Sequence, residues 1–295
     1  MSSPLPPPEI SPLSPLSTTI HGLTFDIFGT TVSWRVPLTA LLTTAAAATL
    51  SRLPPSSPFH PLLSSLTEAD WARFAAEWHA AYTAFTRAFV PGRDAWVDVD
   101  THNRESLGRL LKEWGLEGVY GPEEVDRLAR GWHELPPWGD TVPGLERLGK
   151  RFVTASLSNG NRGLLKDLDG FAGGLGFWRL LGAEDFGAYK PRPEVYLGAC
   201  REVGAEGEPG KVAMVAAHLE DLAAARRVGM RTVYVERPEE EAWGVEEERY
   251  QEARGWVDVW VGERGGGVKG GGGGGFVGGP GGEGGFEELA RRLGV

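Results

Sequence analysis

Near the start of the chain stands Leu23-Thr24-Phe25-Asp26-Ile27-Phe28-Gly29-Thr30, an apolar run that ends in a carboxylate directly before a turn. Residues 20–25 predict a strand. In an open α/β sheet, ligands bind in the crevice beyond the carboxyl ends of the strands, so we expect Asp26 to project into a site. This makes Asp26 a candidate nucleophile. An aspartate before Gly-Thr also serves as an ordinary turn or helix-capping residue, so the stretch needs support from the rest of the chain.

Three later segments supply that support. They are Ser158-Asn159-Gly160, Lys190-Pro191 and His218-Leu219-Glu220-Asp221, and each lies at or near the end of a predicted strand. Their hydroxyl, amide, ammonium and carboxylate groups are those that a nucleophilic aspartate needs around it.

Composition predicts a soluble globular protein and excludes several classes. The chain has 295 residues, of which 41% are hydrophobic, and this is ample for a buried core. Its formal charge of -10, without a Lys/Arg-rich cluster, argues against a nucleic-acid surface. The single Cys200 excludes an internal disulfide framework, and no Cys/His cluster suggests zinc. No run approaches the roughly 18 apolar residues of a membrane span. We expect an intracellular, cytoplasmic location.

The order of elements predicts an α/β fold with a Rossmann-like, mainly parallel sheet core and an inserted helical-bundle cap domain. The strand at residues 20–25 has no comparable successor until residues 152–157. From Asp140 onward strands and helices alternate, as is typical of a parallel sheet with helices on both faces. Between the first of these strands and Asp140 lie four helical patterns, at residues 38–53, 68–89, 103–114 and 123–134.

The predicted domain boundaries follow from this organisation. Residues 1–18, with six prolines, form a leader that we expect to be disordered. Residues 19–33 and 139–264 form the core, and residues 34–138 form the cap. Residues 265–285 form a flexible glycine-rich insertion, because ordering so many glycines costs backbone entropy. Residues 286–295 form a final helix of the core.

Taken in order, the four segments resemble the motifs of the haloacid dehalogenase superfamily, and within it the type II (S)-2-haloacid dehalogenases. The resemblance spans residues 20–238. The superfamily's phosphatases would carry a second Asp two residues after the nucleophile, where this chain has Phe28. They commonly carry another Asp at the position of Ala217. Because Mg²⁺ needs near-octahedral oxygen coordination, the resemblance implies an enzyme without a metal or other cofactor.

The resemblance also implies roles for the motif residues. Asp26 attacks the carbon that bears the halogen and leaves an ester on the enzyme. Asp221 is the best-placed group to activate the water that cleaves this ester. Lys190 holds both carboxylates and keeps Asp26 ionised, unless it is an ordinary solvated lysine.

Four further residues are candidate substrate-binding groups. Ser158 and Asn159 offer a hydroxyl and an amide to the substrate carboxylate and the departing halide, although a Ser-Asn-Gly turn is also common as turn chemistry. Thr30 completes the anion pocket. The ring of Phe28 makes the pocket more apolar.

Two positions depart from the type II pattern. Where these enzymes usually have a cap Trp-Arg pair that receives the halide, this chain has Trp78-His79. His79 is a weaker, pH-dependent receptor, and Arg73 or Arg35 could replace it. His218 stands where Asn is frequent, and it orients the water, contacts Asp26 or is simply a structural histidine.

The leading hypothesis is hydrolysis of a small substrate, a short 2-halocarboxylate, to the 2-hydroxy acid. The alternatives are a phosphatase that acts on a small phosphate ester, and a catalytically weak relative kept as a binding or scaffold protein. We expect no nucleic-acid or membrane partner, and a homodimer stays open.

Overall fold

The computed structural model describes residues 14–262 and 284–295, and within these ranges five strands form one parallel sheet. The strand order is β2-β1-β3-β4-β5. This architecture confirms the predicted α/β fold class. The strands are β1 (Gly22–Phe25), β2 (Val153–Ser156), β3 (Val212–Ala216), β4 (Arg231–Val235) and β5 (Val259–Val261).

Strand register brings three strand ends together. Phe25 at the end of β1 pairs with Ser156 of β2 on one side and with Val215 of β3 on the other. Every residue of β1 and β3 is buried, because helices cover both faces of a parallel sheet. The loops that follow these strands therefore leave the sheet side by side at its carboxyl edge.

Helices of the core surround this sheet. The C-terminal helix α12 (Gly285–Arg292) packs on α7 (Thr141–Leu148), and the Phe286 ring lies 5.0 Å from the Phe25 ring. A side chain at Gly144 of α7 would collide with Phe286, so this glycine permits the close approach of the two helices. The core helices are α7 (Thr141–Leu148), α8 (Arg162–Phe171), α9 (Pro193–Glu202), α10 (Leu219–Arg227), α11 (Glu248–Trp256) and α12 (Gly285–Arg292).

Between β1 and β2, helices α2–α6 form the cap. The longest of them, α4, begins with a capping box in which Thr67 and Asp70 satisfy each other's backbone N–H groups. Trp71, Trp78 and Trp132 are buried in the cap core, where their large apolar surfaces pack between helices. The cap helices are α2 (Arg35–Arg52), α3 (His60–Ser65), α4 (Glu68–Ala88), α5 (Val99–Glu113) and α6 (Pro122–Ala129), with a 3₁₀ turn at Arg130–His133.

Some local predictions differ from the structure. The leader was expected to be disordered to residue 18, but Leu16–Thr19 forms a short helix α1, because burial of Leu16 holds it against the core. The rest of the leader, residues 1–13, lies outside the described residues, and so do residues 265–283 of the glycine-rich insertion. Gly285 was predicted to be the last residue of that insertion, but it is the first residue of α12. Beside β2, Arg179 forms only an isolated bridge with Ala155.

None of the helices in residues 14–262 and 284–295 combines the length and the apolar character that a bilayer crossing requires.

We expect the docking of α12 to contribute strongly to stability. Phe286 is fully buried, so Phe286→Ala should lower the free energy of unfolding by about 3–5 kcal/mol, through lost transfer energy and a cavity. Urea denaturation measures this change. Phe171→Ala, at a helical phenylalanine that is 53% exposed, is the control and should cost less than about 0.5 kcal/mol. Equal losses in the two variants would contradict the assignment.

Candidate active site

Asp26 leaves the end of β1 and enters a buried ion cluster. Its Oδ1 accepts a hydrogen bond from Lys190 Nζ at 2.7 Å, and its Oδ2 accepts one from Thr30 Oγ1 at 2.7 Å. Lys190 Nζ also donates to Asp221 Oδ2 at 2.5 Å. Tyr196 donates from its hydroxyl to the other oxygen, Asp221 Oδ1, at 2.6 Å. The three predicted catalytic residues thus share one lysine bridge.

The turn after β1 is locked to the loop after β3. Gly29 has a φ of 78°, a conformation that glycine adopts without strain, and a side chain there would collide with Glu240. Thr30 Oγ1 accepts a hydrogen bond from the Ala217 backbone N–H at 2.9 Å while it donates to Asp26. Thr30 therefore holds the nucleophile in place from within the protein.

Electrostatic contacts keep Asp26 ionised. Burial by itself raises the pKa of Asp26, but the charges and hydrogen bonds of Lys190 and His218 outweigh it and bring this pKa well below its usual range. Burial also works against the charge of Lys190, whose pKa is nevertheless raised by Asp221 and Asp26. Burial, together with the nearby charge of Asp26, raises the pKa of Asp221. The two carboxylates thus differ in proton affinity, and Asp26 is the stronger acid.

His218 connects Asp26 to a second carboxylate. Its Nδ1 lies 3.2 Å from Asp26 Oδ2, and its Nε2 lies 3.4 Å from Glu240 Oε2. Burial lowers the pKa of His218, but hydrogen bonds and charge from Asp26 and Glu240 raise it to about 10. Glu240 also accepts a hydrogen bond from Trp34 Nε1 at 3.1 Å. In the free protein His218 is therefore an imidazolium held between two carboxylates.

A cavity of about 640 Å³ opens onto these groups. Seven of the nine predicted catalytic and substrate-binding residues line it: Asp26, Phe28, His79, Asn159, Lys190, His218 and Asp221. Glu240 and Tyr196 also line it. The volume lies in the range of pockets that hold small organic ligands.

Thr30 and Ser158 do not line the cavity. Both are fully buried, and Ser158 Oγ accepts a hydrogen bond from the Gly160 backbone N–H at 3.0 Å. Asn159 lies at the cavity, where its Oδ1 accepts from the Lys190 backbone N–H at 2.7 Å. Both side chains of the Ser-Asn pair are thus engaged in shaping loops, and Asn159 also positions the lysine.

Phe28 and His79 stand on the cap side of the cavity. The Phe28 ring meets Tyr82 and Trp132 edge to face, at centroid distances of 5.7 Å and 5.6 Å. The His79 ring stacks on Trp34 at 4.2 Å. An apolar aromatic wall therefore faces the ionic groups at the end of the sheet.

Two residues of the site escaped the sequence analysis. Tyr196 lies in α9, and the hydroxyl it directs at Asp221 gives no motif that sequence alone reveals. Glu240 follows β4, whose end at Val235 lies on the same carboxyl edge of the sheet. The rule that sites form beyond strand ends could have drawn attention to this glutamate.

The donor set does not fit Mg²⁺. Asp26 and Asp221 are the two carboxylates joined by Lys190, and each of their oxygens already accepts a hydrogen bond from Lys190, Thr30 or Tyr196. The side chains of Phe28 and Ala217 contain no oxygen that could bind a metal. In the described part of the chain, no group of three or more His, Cys, Asp or Glu residues is arranged to hold a metal ion.

The parallel sheet, the inserted helices and the carboxylate-lysine-carboxylate cluster define a class of α/β hydrolases with a helical cap. A family model described as haloacid dehalogenase-like hydrolase matches residues 20–229. The chain belongs to the haloacid dehalogenase-like hydrolases, and the resemblance seen in its motifs is confirmed.

Individual relatives narrow the comparison. The chain is 32% identical over 151 residues to (S)-2-haloacid dehalogenase 4A of Burkholderia cepacia, a match that covers 49% of this chain and 60% of the relative. A crystal structure of a defluorinating L-2-haloacid dehalogenase is 31% identical, covers 84% of this chain and 94% of its own, and has a TM-score of 0.69. Another L-2-haloacid dehalogenase structure is also 31% identical, with coverages of 82% and 95% and a TM-score of 0.65.

The raised pKa of His218 makes stability depend on pH. Folding raises this pKa from 6.5 to about 10, so the stabilisation is complete below about pH 6.5 and is lost as the pH rises toward about 10. We expect the free energy of unfolding to fall more steeply between about pH 7 and 10 in the wild type than in His218→Gln. Urea denaturation at several pH values measures both slopes. The exposed His21→Gln should keep the wild-type slope, and a wild-type slope in His218→Gln would count against the assignment.

Proposed function

We propose that this protein hydrolyses the carbon–halogen bond of small (S)-2-haloacids and releases the 2-hydroxy acid, with no metal or other cofactor. The observation that carries the proposal is the ionised Asp26 at the cavity, held by Lys190 and flanked by the apolar ring of Phe28. The relatives' dehalogenase names support the same reaction.

In the first step, a carboxylate oxygen of Asp26 attacks the substrate carbon. An oxygen–carbon bond forms as the carbon–halogen bond breaks, and the halide leaves with the electron pair of that bond. A halide needs no proton to leave. This chemistry suits a site in which Phe28 stands where the phosphatases would have a proton-donating Asp.

In the second step, water cleaves the ester on Asp26. The water adds to the ester carbonyl carbon, one of its protons passes to a base, and the 2-hydroxy acid departs with a proton as the Asp26 carboxylate is restored. Asp221 is the group we assign as base, because its raised pKa makes it the more basic carboxylate of the cluster.

His218 has a different part in this cycle. Esterification removes the negative charge from Asp26, and with it one of the two carboxylates that raise the pKa of His218. The imidazole is then released from Asp26 and can hydrogen-bond the attacking water, while Glu240 holds its other nitrogen. We therefore assign His218 to orienting the water in the second step.

Asp26→Asn tests the nucleophile. An amide is a poor nucleophile, so we expect the variant to lose halide release from (S)-2-chloropropionate by at least about 10⁴-fold. Wild-type halide release should persist in excess chelator. Magnesium-dependent cleavage of a phosphate monoester would favour the phosphatase alternative, and a folded protein that turns over neither substrate panel would favour the binding or scaffold alternative.

Asp221→Asn separates the two steps. Without the base, alkylation of Asp26 should outrun ester hydrolysis, so rapid-quench experiments should show a halide burst close to one equivalent per site, and mass spectrometry should detect the ester. Asp126→Asn, in α6 and about half exposed, is the matched control and should turn over as the wild type does. A uniformly slow halide release with no burst would remove Asp221 from the role of base.

A further inference from the structure

The cap position of His79 carries no positive charge at neutral pH. Burial lowers its pKa to about 4, and its ring stacks on Trp34 with centroids 4.2 Å apart and planes 10° apart. A neutral imidazole attracts an anion only weakly. The halide that leaves the substrate therefore needs a cation from elsewhere in the cavity.

Three of the cations that line the cavity are already committed. Lys190 is bridged between two carboxylates, and His218 directs each ring nitrogen at a carboxylate. Arg87 forms an ion pair with Glu220 and is half exposed at the cavity mouth. Each of these three cations therefore already has a carboxylate within hydrogen-bond distance.

Arg35, in the first turn of α2, is different. Its Nη2 donates to the Glu239 carbonyl at 2.5 Å, while its Nε lies 3.3 Å from Glu240 Oε1 without hydrogen-bond geometry. In residues 14–262 and 284–295, this buried Nε–H has no hydrogen-bond partner. An unpaired buried donor is costly, so it favours a ligand that supplies an acceptor.

The position of Arg35 suits the leaving group. Its guanidinium lies 4.4 Å from the centroid of Trp34, the same indole on which His79 stacks, and both residues line the cavity. Glu240 lies between the two cations, 3.3 Å from Arg35 Nε and 3.4 Å from His218 Nε2.

We infer that Arg35 receives the departing halide, in the role that the residue at position 79 would otherwise fill. The inference rests on the proposed dehalogenation. As the Asp26 oxygen–carbon bond forms and the carbon–halogen bond breaks, the halide takes the bonding pair, and Arg35 donates an N–H to it. Arg35 also forms an ion pair with Glu240. If Arg35 served only to position Glu240, its loss would slow ester hydrolysis, whereas loss of a halide receptor would slow the alkylation of Asp26.

The test compares Arg35→Met and Arg35→Lys with Arg73→Met. Arg73 is a matched cap arginine outside the cavity, 63% exposed and stacked on Trp114. For Arg35→Met we expect kcat/KM on (S)-2-chloropropionate to fall about 100-fold, with a smaller fall for the 2-iodo analogue, because iodide leaves with less help. Arg35→Lys should recover part of the loss, and Arg73→Met should match the wild type.

Rapid-quench kinetics identify the step that is affected. Loss of a halide receptor slows alkylation, so Arg35→Met should release halide without a burst. If Arg35 serves only to hold Glu240 and through it His218, ester hydrolysis slows instead and a halide burst appears; that result would overturn the inference.

Chloride binding provides a readout that needs no turnover. The wild type and Arg73→Met should broaden the ³⁵Cl NMR line of sodium chloride, and Arg35→Met should lose most of this broadening. Equal broadening in Arg35→Met, or none in the wild type, would overturn the inference. Arg35-dependent broadening in a wild type that releases no halide from any 2-haloacid would refute the proposed function while it supports the anion site.

Discussion

The bridge that Lys190 makes between Asp26 and Asp221 is the interaction on which the rest of the site depends. Asp26 and Lys190 are buried and the Asp221 side chain is only 10% exposed, and a buried charge is tolerated only when it is paired and hydrogen-bonded. One ammonium donates hydrogen bonds to both carboxylates here. The neighbours of the two carboxylates differ, since Asp26 has a second cationic neighbour in His218, whereas Asp221 has the neutral Tyr196 hydroxyl. The pKa of Asp26 is therefore lowered, while that of Asp221 is raised.

The backbone supplies the geometry for this bridge. Because β1 lies between β2 and β3 with its residues in register, the loops after the three strands emerge within reach of one another. Thr30 then ties two of these loops together through the Ala217 N–H. The cap contributes an aromatic wall on the opposite side, so the ionic groups face an environment of low polarity. In such an environment the interactions that keep Asp26 ionised are stronger than they would be in water.

Much of the fold could be read from the sequence. The apolar run before Asp26, the long helical interval and the later alternation of strands and helices predicted the sheet and its inserted helices, because burial imposes these periodicities. The segments that escaped prediction were those held mainly by tertiary contacts. The helix at Leu16–Thr19 is one example, since four residues have no helical stability without the core against which Leu16 packs.

The sequence by itself determined the family, the identity of the candidate nucleophile and the absence of the carboxylates that a phosphatase site would add, since these depend on residue types at fixed positions along the chain. Only the tertiary structure decided which side chains share the cavity. Glu240 and Tyr196 line this cavity, whereas Ser158 and Thr30 are fully buried outside it. His79 is half-buried and uncharged at neutral pH, and Arg35 keeps an Nε–H without a hydrogen-bond partner. These outcomes depend on burial and on the proximity of charges from distant segments, and such through-space effects have no signature in local sequence.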